Sequence, residues 1–202
     1  MFIEMIDLLR CPRDHEETWL VAAFTKMDGR FVVEGKLGCP VCSASYEISD
    51  GVARFGGEVS EAFAPSVSAE SVMRMGALLN LVRPGAVAVL CGTEANAADD
   101  LCQLAQCRVI ALNPASLIED TEKVATVVTD GRIPLASSSV DAIAIGDCHS
   151  LIGDAVRIVR PGGRITVPIG ARVPAGFREI ARDETDIVAE SGGPLVPLQR
   201  GC

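Results

Sequence analysis

Two clusters of soft metal donors open the chain. The first is Cys11-Pro12-Arg13-Asp14-His15 and the second is Cys39-Pro40-Val41-Cys42. Thiolates and imidazole suit tetrahedral zinc, and a closed four-ligand site can hold up a unit too small for its own core. Cys11, Cys39 and Cys42 are clear candidates. The fourth place falls to Asp14, which stands where a Cys-x-x-Cys pair would put its second thiol, or to His15 one residue later. His15 is preferred because imidazole is the commoner partner of thiolates. An empty or partial site is the remaining alternative.

A second stretch could bind a different ligand. Residues 86–90 form an apolar run that opens into Cys91-Gly92-Thr93, followed by a helical pattern and a second apolar run, 108–112, ending on Asn113. Strand, tight turn, helix and strand make half of a nucleotide-binding α/β unit. Glycine at such a turn lets backbone N–H groups approach a ligand, and the following helix N-terminus favours negative charge. Further on, Asp147, Cys148 and His149 follow an apolar run. His149 could serve as a base near neutral pH, although a loop histidine at a helix start is the simpler reading. Asp147 could cap that helix, and Cys148 reads as a packed small residue. No catalytic residue is assigned.

The elements that must position these residues follow from periodicity. Around the cysteines, β-like runs at 18–24 and 30–33 flank a Met27-Asp28-Gly29 turn, the plan of a zinc ribbon. Residues 56–68 are rich in Gly, Ser, Ala and Pro and read as a linker. An amphipathic helix is expected over 69–81. Continuous apolar runs at 86–90, 108–112, 125–129, 141–145 and 164–168 suit strands buried on both faces. Helical segments are expected at 95–106, 115–123 and 150–159. The alternation predicts a doubly wound α/β sheet. Short strands at 177–183 and 186–190 follow, with 195–198 as a further piece. The organisation is therefore 1–55 ribbon, 56–68 linker, 69–202 α/β domain.

Two resemblances attach to these motifs. Leu8-Leu9-Arg10-Cys11-Pro12, Cys39-Pro40-Val41-Cys42 and the tail Tyr46-Glu47-Ile48-Ser49-Asp50-Gly51-Val52 resemble the small zinc-ribbon family that includes methyltransferase activator subunits. Asp14, Glu47 and Ala53 depart from its usual Cys, Pro and Pro. The Cys-Pro-x-x-His spacing is also similar to ribosomal-RNA guanine methyltransferases with an N-terminal ribbon. Val127-Val128-Thr129-Asp130-Gly131-Arg132-Ile133-Pro134-Leu135, Ser138-Ser139-Val140-Asp141 and Arg160-Pro161-Gly162-Gly163-Arg164 resemble class I S-adenosylmethionine-dependent methyltransferases. That resemblance implies a Rossmann-like sheet, with cofactor contacts at Cys91, Gly92, Thr93, Asn113, Asp130 and Gly131. The departures lie at the same site. Ala88, Leu90 and Glu94 replace an acid and two glycines of the family's turn, and Asn113 replaces the acid that takes the ribose hydroxyls. No inserted lid or substrate domain is visible.

Composition narrows the partners. The chain has 202 residues, is 49% hydrophobic and carries a formal net charge of −9. An acidic chain is poorly suited to tracking a phosphate backbone, and 4% aromatics offer few stacking platforms. No apolar run reaches the ~18 residues of a membrane helix, and the first residues do not read as a signal peptide. The expectation is a cytoplasmic chain whose eight cysteines are ligands or buried thiols rather than disulfides. Two functions follow: an S-adenosylmethionine-dependent methyltransferase, or a non-catalytic scaffold whose ribbon binds a protein partner or whose copies associate.

Overall fold

Val87, Val89 and Cys91 point into one buried cluster while Ala86, Ala88 and Leu90 point into another. This alternation within a fully apolar strand is what a sheet covered on both faces demands. In a computed structural model describing residues 1–57, 67–116 and 118–192, that strand, β5 (Val87–Cys91), lies at the middle of a mixed sheet.

Its parallel neighbours are β6 (Arg108–Leu112) and β8 (Val140–Ala144). Beyond them lie β7 (Val124–Thr129) and β9 (Val159–Pro168). The spatial order β7-β6-β5-β8-β9 is the 3-2-1-4-5 winding of a Rossmann-like sheet. An antiparallel pair, β10 (Phe177–Arg182) and β11 (Asp186–Ser191), closes that end, with β11 against β9. One face is covered by α2 (Ala69–Leu79) and α3 (Ala98–Ala105). The other is covered by α1 (Ile3–Ile6) and α4 (Ile152–Ile158).

Local chemistry explains the element ends. The Ser68 side chain accepts from the Ser71 N–H at the start of α2, and Asn80 ends the helix in the left-handed region. The expected 95–106 helix divides into a 3-10 turn over Gly92–Ala97 and then α3. Strand β9 begins earlier than expected. The Pro161-Gly162-Gly163 turn lies inside it as an irregularity, where a side chain at Gly163 would meet the Asp141 carbonyl.

The expected helix over 115–123 is absent among the described residues. Its polar groups bind β7 instead. Thr121 Oγ1 accepts from the Lys123 and Val124 N–H groups, and the Asp120 carboxylate accepts from Thr126 N. Side chains from the N-terminal segment, among them Met1, Met5 and Leu9, pack on that face of the sheet.

The strands that flank the cysteine loops are longer than the sequence indicates. β1 (Val21–Asp28) and β2 (Phe31–Gly38) form a hairpin, followed by β3 (Ser45–Ser49) and β4 (Val52–Phe55). Strand β4 pairs in parallel with β7, so eleven strands form one sheet among the described residues. Val32, Leu37 and Ile48 share a buried cluster with Ile110, Ile133 and Leu135. Polar contacts reinforce the junction. The Arg10 N–H donates to the Pro134 carbonyl, and Glu17 accepts from both the N–H and the hydroxyl of Ser137. Most of the expected linker, residues 58–66, and the expected piece at 195–198 lie outside the described residues. Among the described residues, no helix is long and apolar enough to cross a membrane.

Candidate metal centre and ligand turn

Strand β2 delivers Cys39 to a tight turn. Cys39 N donates to the Ala44 carbonyl, Ser43 N donates to the Cys39 carbonyl, and Ser43 takes a positive φ of 57°. The turn brings the Cys42 N–H to the Cys39 sulfur at 3.5 Å. Cys11 arrives from the other side, next to the anchored Arg10, whose guanidinium lies 3.4 Å over the Trp19 ring.

The ligating atoms of Cys11, His15, Cys39 and Cys42 all lie within 4.8 Å of one another. Asp14 is exposed and outside the group. Tetrahedral zinc with sulfur at about 2.3 Å and nitrogen at about 2.0–2.1 Å has edges of about 3.8 Å between sulfurs and about 3.5 Å from sulfur to nitrogen. The observed edges are 3.7 Å for Cys11 to Cys42 and 3.4 Å for Cys39 to His15 Nε2. The sulfurs are far outside the ~2.05 Å of a disulfide. Burial alone would raise the Cys39 thiol, but the N–H groups of Cys42 and Val41 and the neighbouring thiols bring it down to about 7. The donor set and its spacing therefore fit the metal. Tyr46, which reasoning from metal motifs alone passes over, also reaches the cluster, with its hydroxyl 3.2 Å from Cys11 Sγ.

The ligand turn is built differently from the expectation. Gly92 has φ +57°, and a side chain there would run into the Asp147 carboxylate. Asp147 does not cap the helix after it. Its Oδ1 accepts from Thr93 N at 3.2 Å, at the head of the 3-10 turn, where an anionic ligand would sit. The loop after β6 closes the other side. Ala115 N donates to the Gly92 carbonyl at 3.3 Å, and Ser116 Oγ donates to Asn96 Oδ1 at 3.3 Å. Cys91 is fully buried in the core below the turn.

The remaining expected contacts do not converge on one ligand. Asn113 donates to the Thr129 carbonyl at 2.9 Å and accepts from Thr129 N at 2.8 Å, so its amide is held against β7 with one N–H and one lone pair left over. The Asp130 carboxylate sits against Gly56, at the end of β4. Gly131 N donates to Thr129 Oγ1. At the turn itself the fit to S-adenosylmethionine is poor, because Asp147 already takes the Thr93 N–H and the space over Gly92.

A cavity of about 570 Å³ lies beside the turn, lined by Arg74, Glu94, Asp147, His149, Thr166 and Asp186 among others. Arg74 is held by Asp183, Thr185 and Asp186. Burial raises the Glu94 carboxyl above its ordinary range, reinforced by Asp186 and Asp147 and opposed by Arg74. The hairpin carboxylates that bind Arg74 come from far along the chain, a pairing that local patterns do not reveal.

No family model matches the chain, and no curated protein matches it. Solved structures match parts of it. A methyltransferase from Pyrococcus furiosus is 16% identical, with 65% of this chain and 88% of that one covered and a TM-score of 0.43. Geranyl diphosphate methyltransferase, solved with GPP and sinefungin, is 20% identical over 48% and 43% of the two chains, with a TM-score of 0.41. The YcgJ protein from Bacillus subtilis is 14% identical over 49% and 50%, with a TM-score of 0.38. The chain spans half or less of the length of the latter two.

Proposed function

We propose that this chain is a methyltransferase-like protein whose cofactor turn is closed by its own residues, and that it acts as a non-catalytic binding scaffold. One observation carries the reading. The Asp147 carboxylate takes the Thr93 N–H and fills the space over Gly92. An incoming cofactor carboxylate would have to displace it and would also face Glu94. Like charges brought together in a partly dry site repel by a few kcal/mol.

The Cys11, His15, Cys39 and Cys42 set holds zinc in this proposal. When bound, zinc supplies a structural crosslink between the two cysteine loops. The residues themselves position that link: the turn between β2 and β3 carries Cys39 and Cys42, while Arg10 fixes Cys11 against Pro134. The scaffold's partner is a protein or a second copy of the chain. The outer edge of β1, which pairs with no further strand among the described residues, has Val21 exposed and supports such a contact. The net charge of −9 weighs against nucleic acid.

Calorimetric titration with S-adenosylhomocysteine, with metal content measured on the same sample, tests the proposal. The expected result is about one equivalent of zinc and no binding at millimolar ligand. Micromolar binding by the wild-type chain would overturn the scaffold reading and restore the enzyme, with the cavity beside Glu94 and His149 as its acceptor site. A metal-free sample that takes up no added zinc would overturn the metal assignment.

A further inference from the structure

The two cysteine loops are not equivalent. In the second loop the Cys42 N–H lies 3.5 Å from the Cys39 sulfur, as a tight turn provides. In the first loop Asp14 occupies the third place after Cys11, and His15 turns back with its N–H on the Arg13 carbonyl. Cys11 is nevertheless 8% exposed and sits in a small apolar cluster with Cys39 and Ala44. A thiolate there needs donors, because burying charge without them is costly. Besides the backbone of Arg13, the donor beside it is a side chain. Tyr46 Oη lies 3.2 Å from Cys11 Sγ, and an uncharged phenol can donate to a thiolate while accepting nothing from it.

The placement of Tyr46 is built into the sheet. It sits on β3 opposite Leu37 of β2, two residues before Cys39. Its ring packs on Phe55 with centroids 4.5 Å apart. The hydroxyl is thus held by the same strands that hold the ligands. Partners of this kind orient metal ligands and tune the electron density they donate.

We propose that Tyr46 is a positioning residue of the metal centre, donating its hydroxyl hydrogen to the Cys11 thiolate and thereby lowering that sulfur's charge and nucleophilicity. The inference rests on the metal assignment above. It separates two of the three thiolates by their donors: Cys11 takes the phenol, and Cys39 the Cys42 N–H. Loss of the phenol therefore changes the reactivity of Cys11 and leaves that of Cys39 and Cys42 as it was.

The test compares the full-length wild type with Tyr46→Phe, each loaded with cobalt(II) and, separately, with zinc. Phenylalanine keeps the ring against Phe55. The sulfur-to-cobalt charge-transfer band is expected to move to lower energy in Y46F, because an unshielded thiolate gives up electron density more readily. Zinc affinity by chelator competition is expected to fall by about tenfold, within the range for outer partners. Alkylation by iodoacetamide, mapped by mass spectrometry, is expected to rise severalfold at Cys11 and to stay constant at Cys39 and Cys42. The proposal is overturned if the wild type shows thiolate-to-cobalt bands and Y46F matches it in band energy, affinity and Cys11 alkylation. A wild type without such bands overturns the metal assignment itself. Tyr46 is the single tyrosine of the chain, so 3-fluorotyrosine labelling gives one fluorine resonance without any substitution. That resonance is expected to shift on zinc loading, and a resonance that stays in place also overturns the proposal.

Discussion

The Asp147 carboxylate lies where a side chain at Gly92 would have to go, and it accepts the next N–H in the chain, that of Thr93. The two residues are therefore coupled. Gly92→Ala places a methyl group in the left-handed region at φ +57° and against that carboxylate. The backbone term alone is about 1–3 kcal/mol. Asp147→Ala removes the obstacle but leaves the backbone term. In a urea-unfolding cycle the double variant is expected to be more stable than the sum of the singles predicts. Strict additivity would mean that Asp147 does not fill the turn.

Glu94 makes stability depend on pH in a defined direction. Burial holds its carboxyl above the ordinary value of 4.5, helped by Asp186 and Asp147. The folded chain then holds this proton more tightly than the unfolded chain does. The stability contributed is full below the unfolded value and is lost as pH rises through the higher folded value. Glu94→Gln removes this loss. Its melting temperature is expected to exceed that of the wild type near about pH 7, by about 2–4 °C for each kcal/mol recovered. The gain is expected to vanish near about pH 4, where both chains are uncharged at this position. A gain that is the same at both pH values would show that ionisation of Glu94 is not its cause.

The central strands were legible because residues such as Val87, Val89 and Ile110 form continuous apolar runs, and burial on both faces leaves few other readings. The Cys/His grouping was legible because thiols at close spacing have few structural uses. His15 over Asp14 followed from donor preference, and the geometry groups His15 with the thiols. The state of the ligand turn was not legible. Asp147 lies 55 positions after Gly92 in the sequence, and only the parallel pairing of β5 with β8 brings them together. The two bonds of Asn113 were not legible for a similar reason. An amide at a strand end can face a ligand or the neighbouring strand, and its two bonds to Thr129 are set by register. The helix expected at 115–123 failed because Asp120 and Thr121 satisfy backbone groups of β7, a choice that local propensity does not see.

Asp141 belongs to the fold rather than to chemistry. It is 6% exposed, accepts Val87 N at 2.8 Å at the start of β5, and pairs with Arg83 and Arg160. Both arginines are substantially exposed, so their share is discounted. The buried N–H left without an acceptor dominates. Asp141→Ala is expected to cost about 2–3 kcal/mol. Asp141→Asn keeps an oxygen for Val87 and is expected to cost less. Equal losses in urea titrations of the two variants would shift the weight to the arginine pairs.

Metal removal should be felt across the whole chain. Val32, Leu37 and Ile48 share one buried cluster with Ile110 and Leu135, and β4 is hydrogen-bonded to β7. Loosening the cysteine loops therefore withdraws support from the sheet as a unit. Zinc at a hundred times its dissociation constant adds about 2.7 kcal/mol, equivalent to about 5–10 °C for a chain of this size. Chelation is expected to lower the melting temperature by that amount while keeping one transition. Two separated transitions would mean that the strands around the cysteine loops unfold independently of the rest. Single variants sharpen the test. His15→Ala is expected to weaken zinc binding by more than about tenfold, since even outer partners are worth that much. Asp14→Ala is expected to leave binding unchanged, because Asp14 lies outside the cluster. The reverse order of effects would hand the fourth position to Asp14 and require the first loop to close by one residue less.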